Sequence, residues 1–378
     1  MIPYGRQSID EEDIQAVVEV LRSDWLTTGP KVEEFERAFA RAVGAKHAVA
    51  VSSGTAALHA AMYALGIGPG DEVIVPPMTF AATANCVVFQ GGTPVFADVE
   101  EETLLIDPKE VERRITPRTR AIIAVDYAGQ PCDYDELCRI AKNNNIYLVS
   151  DACHALGAKY KGRPVGSLAD LTVFSFHPVK HITTGEGGMI TTDHPELADR
   201  MRIFRNHGIT TDHRQREALG SWFYEMVDLG YNYRITDFQC ALGLSQLKKL
   251  PIWLKRRHEI ADEYRKFFSG SIDFEPLIVR DKVYHAYHLY IIRLKSKKKD
   301  LTRNHVFKWL RTEGIGVNVH YIPVHLHPFY QTRFKTGPGL CPVAEAAYAE
   351  IISLPIYPAM TKETVVTVTR KLRKVIAF

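Results

Sequence analysis

The stretch Phe174-Ser175-Phe176-His177-Pro178-Val179-Lys180-His181-Ile182-Thr183-Thr184-Gly185-Glu186-Gly187-Gly188 holds one lysine among apolar, hydroxyl and small residues. Its start reads as the end of a strand, Leu171 to Phe174, and its last glycine opens another, Gly188 to Thr191. Most lysines are solvated surface groups. One flanked by apolar and small residues rather than other charges suits a depressed pKa and nucleophilic use.

Upstream, short Val- and Ile-rich runs alternate with helical patterns. The strand candidates are His47 to Val51, Glu72 to Val75, Pro94 to Phe96, Ala121 to Val125 and Ile146 to Val149. Strands separated by helices are the mark of βαβ units and a parallel sheet covered on both faces. Ligands of such sheets sit beyond the carboxyl ends of the strands, so the residues just after each run are the ones to examine. Two places there stand out. At Ser52-Ser53-Gly54-Thr55-Ala56-Ala57-Leu58 a strand turns into a helix; its exposed amides and small residues suit a phosphate, or simply a capped helix. Asp151 follows Ile146 to Val149 as a helix cap, a metal ligand or a cofactor partner.

At the amino end, Ser8 or Asp10 can cap a helix on which Ile14, Val17, Val18 and Leu21 recur at helical spacing. Trp25 to Pro30 breaks it, and a second amphipathic helix covers Val32 to Val43. An irregular stretch from about Arg205 to Tyr233 precedes a helix from Thr236 to Leu250, which Pro251 is expected to stop. A charged helix, Trp253 to Phe268, then leads to a smaller part. There Tyr287 to Leu294 and Gly316 to His320 read as strands, and Arg303 to Thr312 and Lys362 to Val375 as helices. The domain boundary is placed near Pro251.

Composition sets the outer limits. With 378 residues, 46% hydrophobic and 24% charged, the chain has the make-up of a globular protein of two or three domains. A net charge of +3 is too balanced for a dedicated nucleic-acid binder. Six scattered cysteines form neither a disulfide framework nor a zinc spacing, which favours reduced thiols in a cytoplasm. The uncharged stretch Val73 to Ala97 contains Pro76, Pro77, Asn85, Gln90, Gly91 and Gly92, a poor set for a membrane span. His320, His325 and His327 lack a carboxylate or cysteine to complete a metal set, and Lys295 to Asp300 reads as a solvated basic turn. The expectation is a soluble, cytoplasmic protein without metal, membrane or nucleic-acid partner.

Taken together, the three candidate places describe one device. A phosphate cup at a helix start, an aspartate after a later strand and a lysine 29 positions on (151 to 180) match the needs of pyridoxal 5'-phosphate (PLP). The lysine amine forms the Schiff base, the carboxylate keeps the pyridine nitrogen protonated, and the cup holds the phosphate. Ordered motifs running nearly end to end then make the chain resemble the DegT-type sugar-nucleotide aminotransferases: LTTGP, SSGTAALHAA, PPMTFAATAN, DYAGQP, SDACHALGAKYKG, FSFHPVKHITTGEGG, RNHGI, GYNYRITDFQCALGLSQLKKL and VHYIPVH.

The resemblance implies the α/β fold of PLP-dependent transferases of fold type I, the aspartate aminotransferase-like fold. It implies a large, mostly parallel seven-stranded sheet with helices on both faces (residues 1–250, with an amino-terminal substrate segment) and a smaller α+β part (251–378). It makes Lys180 the Schiff-base lysine, pairs Asp151 with the pyridine nitrogen and puts His154 near the ring hydroxyl; these three are the catalytic set. Phe80 stacks on the ring, and Ser53, Gly54, Thr55 and Ser175 hold the phosphate. Asn232 reaches the phosphate across a homodimer interface, so that active sites are shared. Around the sugar nucleotide it places Tyr4, Asp24, Trp25, Leu26, Thr27, Ser53, Ser175, Arg234, His320, Tyr321, Ile322 and Pro323.

Within that family the chain is most similar to transaminases that aminate C4 of UDP-4-keto-6-deoxy-N-acetylhexosamines on the route to pseudaminic acid. Glutamate leaves its amino group on the cofactor, which alternates with pyridoxamine phosphate (PMP). Rival substrates are a UDP-4-keto-pentose, as in aminoarabinose synthesis, and dTDP- or GDP-linked keto sugars. A rival of another class is a catalytically silent sensor on the same fold, against which the intact set Asp151, Ser175, Lys180 and Asn232 argues. Some family members replace the lysine by histidine and become dehydratases; Lys180 favours transamination.

Overall fold

The computed structural model describes residues 1–296, 298 and 301–376. Lys297, Lys299 and Asp300 of the basic run lie outside the described residues. All seven expected strands of the main sheet form: β1 (His47–Val51), β2 (Glu72–Val75), β3 (Thr93–Phe96), β4 (Thr119–Val125), β5 (Tyr147–Asp151), β6 (Leu171–Ser175) and β7 (Gly188–Thr192). They lie in the order β1-β7-β6-β5-β4-β2-β3. Pairing is parallel from β3 through β2, β4 and β5 to β6, whereas β7 runs antiparallel to both β6 and β1. Consecutive residues along β1, β2 and β7 are buried. Because neighbours on a strand point to opposite faces, both faces of the sheet must be covered.

The amino-terminal helix α1 (Glu11–Leu21) starts with a reciprocal cap between Asp10 and Asp13. Ile14 and Leu21 of its apolar spacing are exposed, and Asp13 is buried instead, where it accepts from Gln246 Nε2 at 2.6 Å. Helix α2 (Pro30–Val43) follows, and then α3 (Gly54–Ala64), which leaves β1 through Ser53.

Two expectations need correction. Pro251 does not stop a helix: Asp237–Phe268 is one continuous helix with Pro251 inside it. Pro251 lies on the exposed side, where the carbonyl that its ring leaves without an amide can be hydrated. The segment Gly316 to His320 is not a strand. Its start pairs with the amino terminus, Gly316 N donating to Ile2 O at 2.6 Å, and a single bridge joins Asn318 to Ser353. A Cβ at Gly316 would lie 2.8 Å from Ile2 O, so this contact needs glycine. The small sheet consists of β8 (Phe274–Pro276), β9 (Tyr290–Leu294) and β10 (Ile351–Leu354), all antiparallel. Its strand β9 starts at Tyr290 rather than Tyr287 because residues 286–289 are engaged elsewhere: Ala286 N donates to Gly129 O at 2.8 Å and Leu289 N to Ala128 O at 3.1 Å.

One apolar core surrounds the main sheet and takes in Leu254, Ala286, Leu289 and Val324 from the later part of the chain. A second gathers Tyr264, Phe274, Ile292, Val306, Val368 and Leu372. The proposed division at residue 250 falls inside the long helix that feeds both.

The start of that helix also ties down the segment before α2. The buried Asp237 carboxylate accepts from Gly29 N at 2.7 Å and Lys31 N at 2.9 Å, while Asp237 N donates to Leu26 O at 3.0 Å. Asp237→Ala leaves two amides without acceptors and should cost about 2–3 kcal/mol, read as a lower midpoint of thermal or urea unfolding. Asp237→Asn keeps an acceptor and should recover part of the loss.

Candidate active site

The site forms at the carboxyl edge of the sheet, where β7 enters between β1 and β6. Gly188 pairs with Val51 on one side and Ser175 on the other. A Cβ there would lie 2.4 Å from Ser53 O, and one at Gly54 would lie 3.0 Å from Ser175 Cβ. Only glycine permits approaches this close. The result is a cup. Ser53 caps α3 by accepting from Ala56 N at 3.0 Å, and Gly54 and Thr55 occupy the first helical positions, whose amides have no intrahelical acceptor. With the helix dipole behind them and the Thr55 and Ser175 hydroxyls beside them, they suit a phosphate.

Asp151 ends β5 and is buried. Its Oδ2 accepts from the Thr83 hydroxyl at 2.7 Å and its Oδ1 from Cys153 N at 3.2 Å, and Thr83 also meets Thr79 at 2.7 Å. These two donors fix the orientation of the carboxylate. Lys180 lies in the β6–β7 loop. Burial pushes its amine below the ordinary lysine value, and the neighbouring Cys153 and Asp151 oppose that shift. Carboxylate and amine are therefore near enough to act on each other's charge.

Histidines line the rest. His154 meets the Tyr321 phenol through Nε2 at 3.0 Å, and its ring centroid is 4.4 Å from that of His288. His181 donates from Nε2 to Ala286 O at 3.0 Å. His320 contacts Ser353 Oγ through Nδ1 at 2.7 Å. Burial above all, then the Lys180 charge, pushes His320 down to about 4; burial likewise holds His154, His181 and His288 well below the imidazole range. All four are neutral at physiological pH, which spares Lys180 further positive neighbours. Phe80 is 62% exposed, its ring 6.1 Å from that of Tyr321, so a face is open for a planar ligand to stack on. Tyr4 packs on His320 at 5.4 Å, and the exposed Ile322 and the buried Pro323 follow as Val324 N donates to Pro77 O at 2.9 Å.

Asp24, Trp25, Leu26 and Thr27 sit elsewhere, against the segment that holds Asn232 and Arg234. Thr27 bridges to Thr236, and the Trp25 ring is 6.2 Å from His213. Asn232 is exposed, Arg234 donates to Asn206 Oδ1 at 2.9 Å, and Ser52 N donates to Tyr233 O at 2.9 Å. Through the Ser52–Tyr233 bond this second group adjoins the start of the cup.

Thr83, Cys153, His181 and His288 are members of the pocket that sequence reading missed as individuals. Thr83 and Cys153 stand in motifs quoted above, so their positions carried a signal. His288 had none, because only the fold brings the segment 286–289 against residues 128–129. Among the described residues no cluster suited to a metal ion is found, and no helix is long and apolar enough to cross a membrane.

A family model, the DegT/DnrJ/EryC1/StrS aminotransferase family, matches residues 7–373. The chain belongs to that family. It is 46% identical over 377 residues to the spore coat polysaccharide biosynthesis protein SpsC of Bacillus subtilis, covering 99% of this chain and 97% of SpsC. Among solved structures, PseC of Helicobacter pylori, an aminotransferase of pseudaminic acid biosynthesis, matches with TM-score 0.92 and 36% identity over the full length of both chains. Spr1654 of Streptococcus pneumoniae in its PMP form matches with TM-score 0.93 and 37% identity over 99% of each. The fold is accordingly that of the type I aminotransferases.

The depressed Lys180 pKa has a direct consequence. An amine is nucleophilic when neutral, so a lowered pKa carries reactivity to lower pH. In the cofactor-free protein, peptide mapping after reductive methylation with formaldehyde should give Lys180 a reactivity midpoint below the ordinary 10.5. Asp151→Asn, which removes a charge that raises the pKa, should move that midpoint lower still.

Proposed function

We propose that the chain is a PLP-dependent aminotransferase. It moves the amino group of L-glutamate to C4 of a UDP-4-keto-6-deoxy-N-acetylhexosamine by a ping-pong mechanism, in a cytoplasmic homodimer with shared active sites. The observation that carries this reading is the convergence of the α3 cup, the hydrogen-bonded Asp151 and the depressed Lys180 on one pocket. The residues fit the cofactor. Gly54 and Gly188 let the α3 start, β6 and β7 close on one another into the cup, Phe80 offers a free ring face, and His154 Nδ1 is a buried polar atom with no partner among the described residues.

When bound, PLP supplies an electron sink that stabilises negative charge at the carbon bearing the amino group. The chain does the rest. The amides of Gly54 and Thr55 and the hydroxyl of Ser175 hold the phosphate, and the Asp151 carboxylate keeps the ring nitrogen protonated. Phe80 fixes the ring plane. Nζ of Lys180 takes the α-proton of glutamate in the first half-reaction and delivers a proton to sugar C4 in the second. Tyr4, His320, Ile322 and Pro323 border the sugar side, and Asp24 to Thr27, with Arg234, are placed to meet the nucleotide. Asn232, exposed and without a side-chain hydrogen bond among the described residues, would reach a partner's phosphate.

The similarity to PseC supports the hexosamine; SpsC, whose name concerns spore coat polysaccharide, keeps other nucleotide sugars among the outcomes of a test. The purified protein should carry a PLP chromophore that glutamate bleaches, and Lys180→Ala should lose that response. A panel of UDP-, dTDP- and GDP-linked keto sugars should restore the chromophore only with the UDP-hexosamine; restoration by the pentose alone would overturn the substrate and leave the cofactor standing. Sharing of sites has its own check. Lys180→Ala and Asn232→Ala should each be inactive, and co-refolded mixtures should regain up to about a quarter of wild-type activity, because a hybrid dimer contains one intact site.

A further inference from the structure

His154 makes one hydrogen bond through its ring, 3.0 Å from Nε2 to the phenol of Tyr321. Its Nδ1 is buried and unpartnered among the described residues. Two proton arrangements are open to this pair. If Nε2–H donated to the phenol, both the phenol proton and the Nδ1 lone pair would lack partners. If the phenol donates to Nε2, the imidazole proton sits on Nδ1, and that N–H alone awaits an acceptor. Each orphaned polar group in a buried site is costly, so the second arrangement prevails.

The ring has little freedom to turn. His288 lies at 4.4 Å, Tyr321 at 6.0 Å in a stacked arrangement, and Tyr127 at 6.5 Å. His288 is itself fixed by the bonds of Ala286 and Leu289 to Gly129 and Ala128. At Gly129, with φ of 106°, a Cβ would lie 2.8 Å from His154 O and 3.0 Å from His288 N. The glycine of DYAGQP therefore lets the two histidine-bearing segments close on each other.

We propose that Tyr321 is a positioning residue: its phenol holds His154 as the Nδ1–H tautomer, and that N–H donates to the ring oxygen of the bound cofactor. This assignment rests on the PLP reading and on His154 standing beside the ring oxygen. It moves Tyr321 away from the sugar nucleotide, where the family resemblance put it. A hydrogen bond donated to the ring oxygen lowers its basicity and loosens its hold on the proton of the lysine-linked nitrogen. That proton is then lost at lower pH. The charged and titratable groups acting on or touching His154 are Lys180, His181, His288, His320, Tyr127 and Tyr321, and all but Tyr321 stay unchanged in the key comparison.

The test is a pH titration of the cofactor absorbance in the holoenzyme and in Tyr321→Phe, His154→Asn and the double variant. Tyr321→Phe keeps the ring and removes the donor. Its midpoint should rise by about half a pH unit or more, a threefold change in proton affinity. The double variant should shift no further than His154→Asn, since both act through one hydrogen bond. The KM for the keto sugar should stay within about twofold of wild type. An unchanged midpoint in Tyr321→Phe, or shifts that add in the double variant, would overturn the assignment. So would a raised keto-sugar KM at constant midpoint, which would return Tyr321 to the substrate. A wild-type protein that takes up no PLP removes the cofactor reading itself, an outcome distinct from these.

Discussion

The close approach of three backbones at Gly188 is the constraint on which the site depends. In an otherwise parallel sheet, β7 enters antiparallel, so its first residue lies at the same edge as the ends of β1 and β6. That edge gathers free helix amides, a strand-end hydroxyl and the loop bearing Lys180. The parallel strands β4 and β5 supply the other half, since their ends carry Asp126 to Gly129 and Asp151 to His154.

The second organising effect is dielectric. The pocket joins one amine and one carboxylate and surrounds them with imidazoles held neutral by burial. A site that must accept an anionic cofactor and an anionic nucleotide sugar gains nothing from permanent positive charge packed around its nucleophile. It needs the amine neutral for attack and a few directed donors for the anions. The modest net charge of +3 is consistent with that economy.

Much of this was legible in the chain. The seven main strands could be read because fully buried parallel strands are short Val- and Ile-rich runs bounded by turn residues, a local property. Lys180, Asp151 and the Ser53 cup could be read because strand ends are where such sheets place chemistry. What escaped was non-local. Pro251 looks like a stop in sequence, and only the solvent exposure of its side of the helix explains why the helix continues. Gly316 to His320 has strand composition, but its start is taken up by the amino terminus and only a single bridge, Asn318 to Ser353, joins it to the small sheet. Thr83 and His288 join the site through contacts across the fold, which no spacing rule anticipates.

The uninterrupted helix through Pro251 also bears on how the molecule can move. Two bodies joined by a loop can swing freely, and their closure is limited only by what they touch. Here the joint is a rod embedded in both cores, so there is no slack to take up. Displacing the later part relative to the sheet must bend the rod, and a proline that has already removed one rung of the ladder is where such a rod yields most easily. The energy of that bend rises smoothly with angle and returns the parts to their rest position. The segment carrying His320 and Tyr321 is thereby mounted on a spring rather than a hinge.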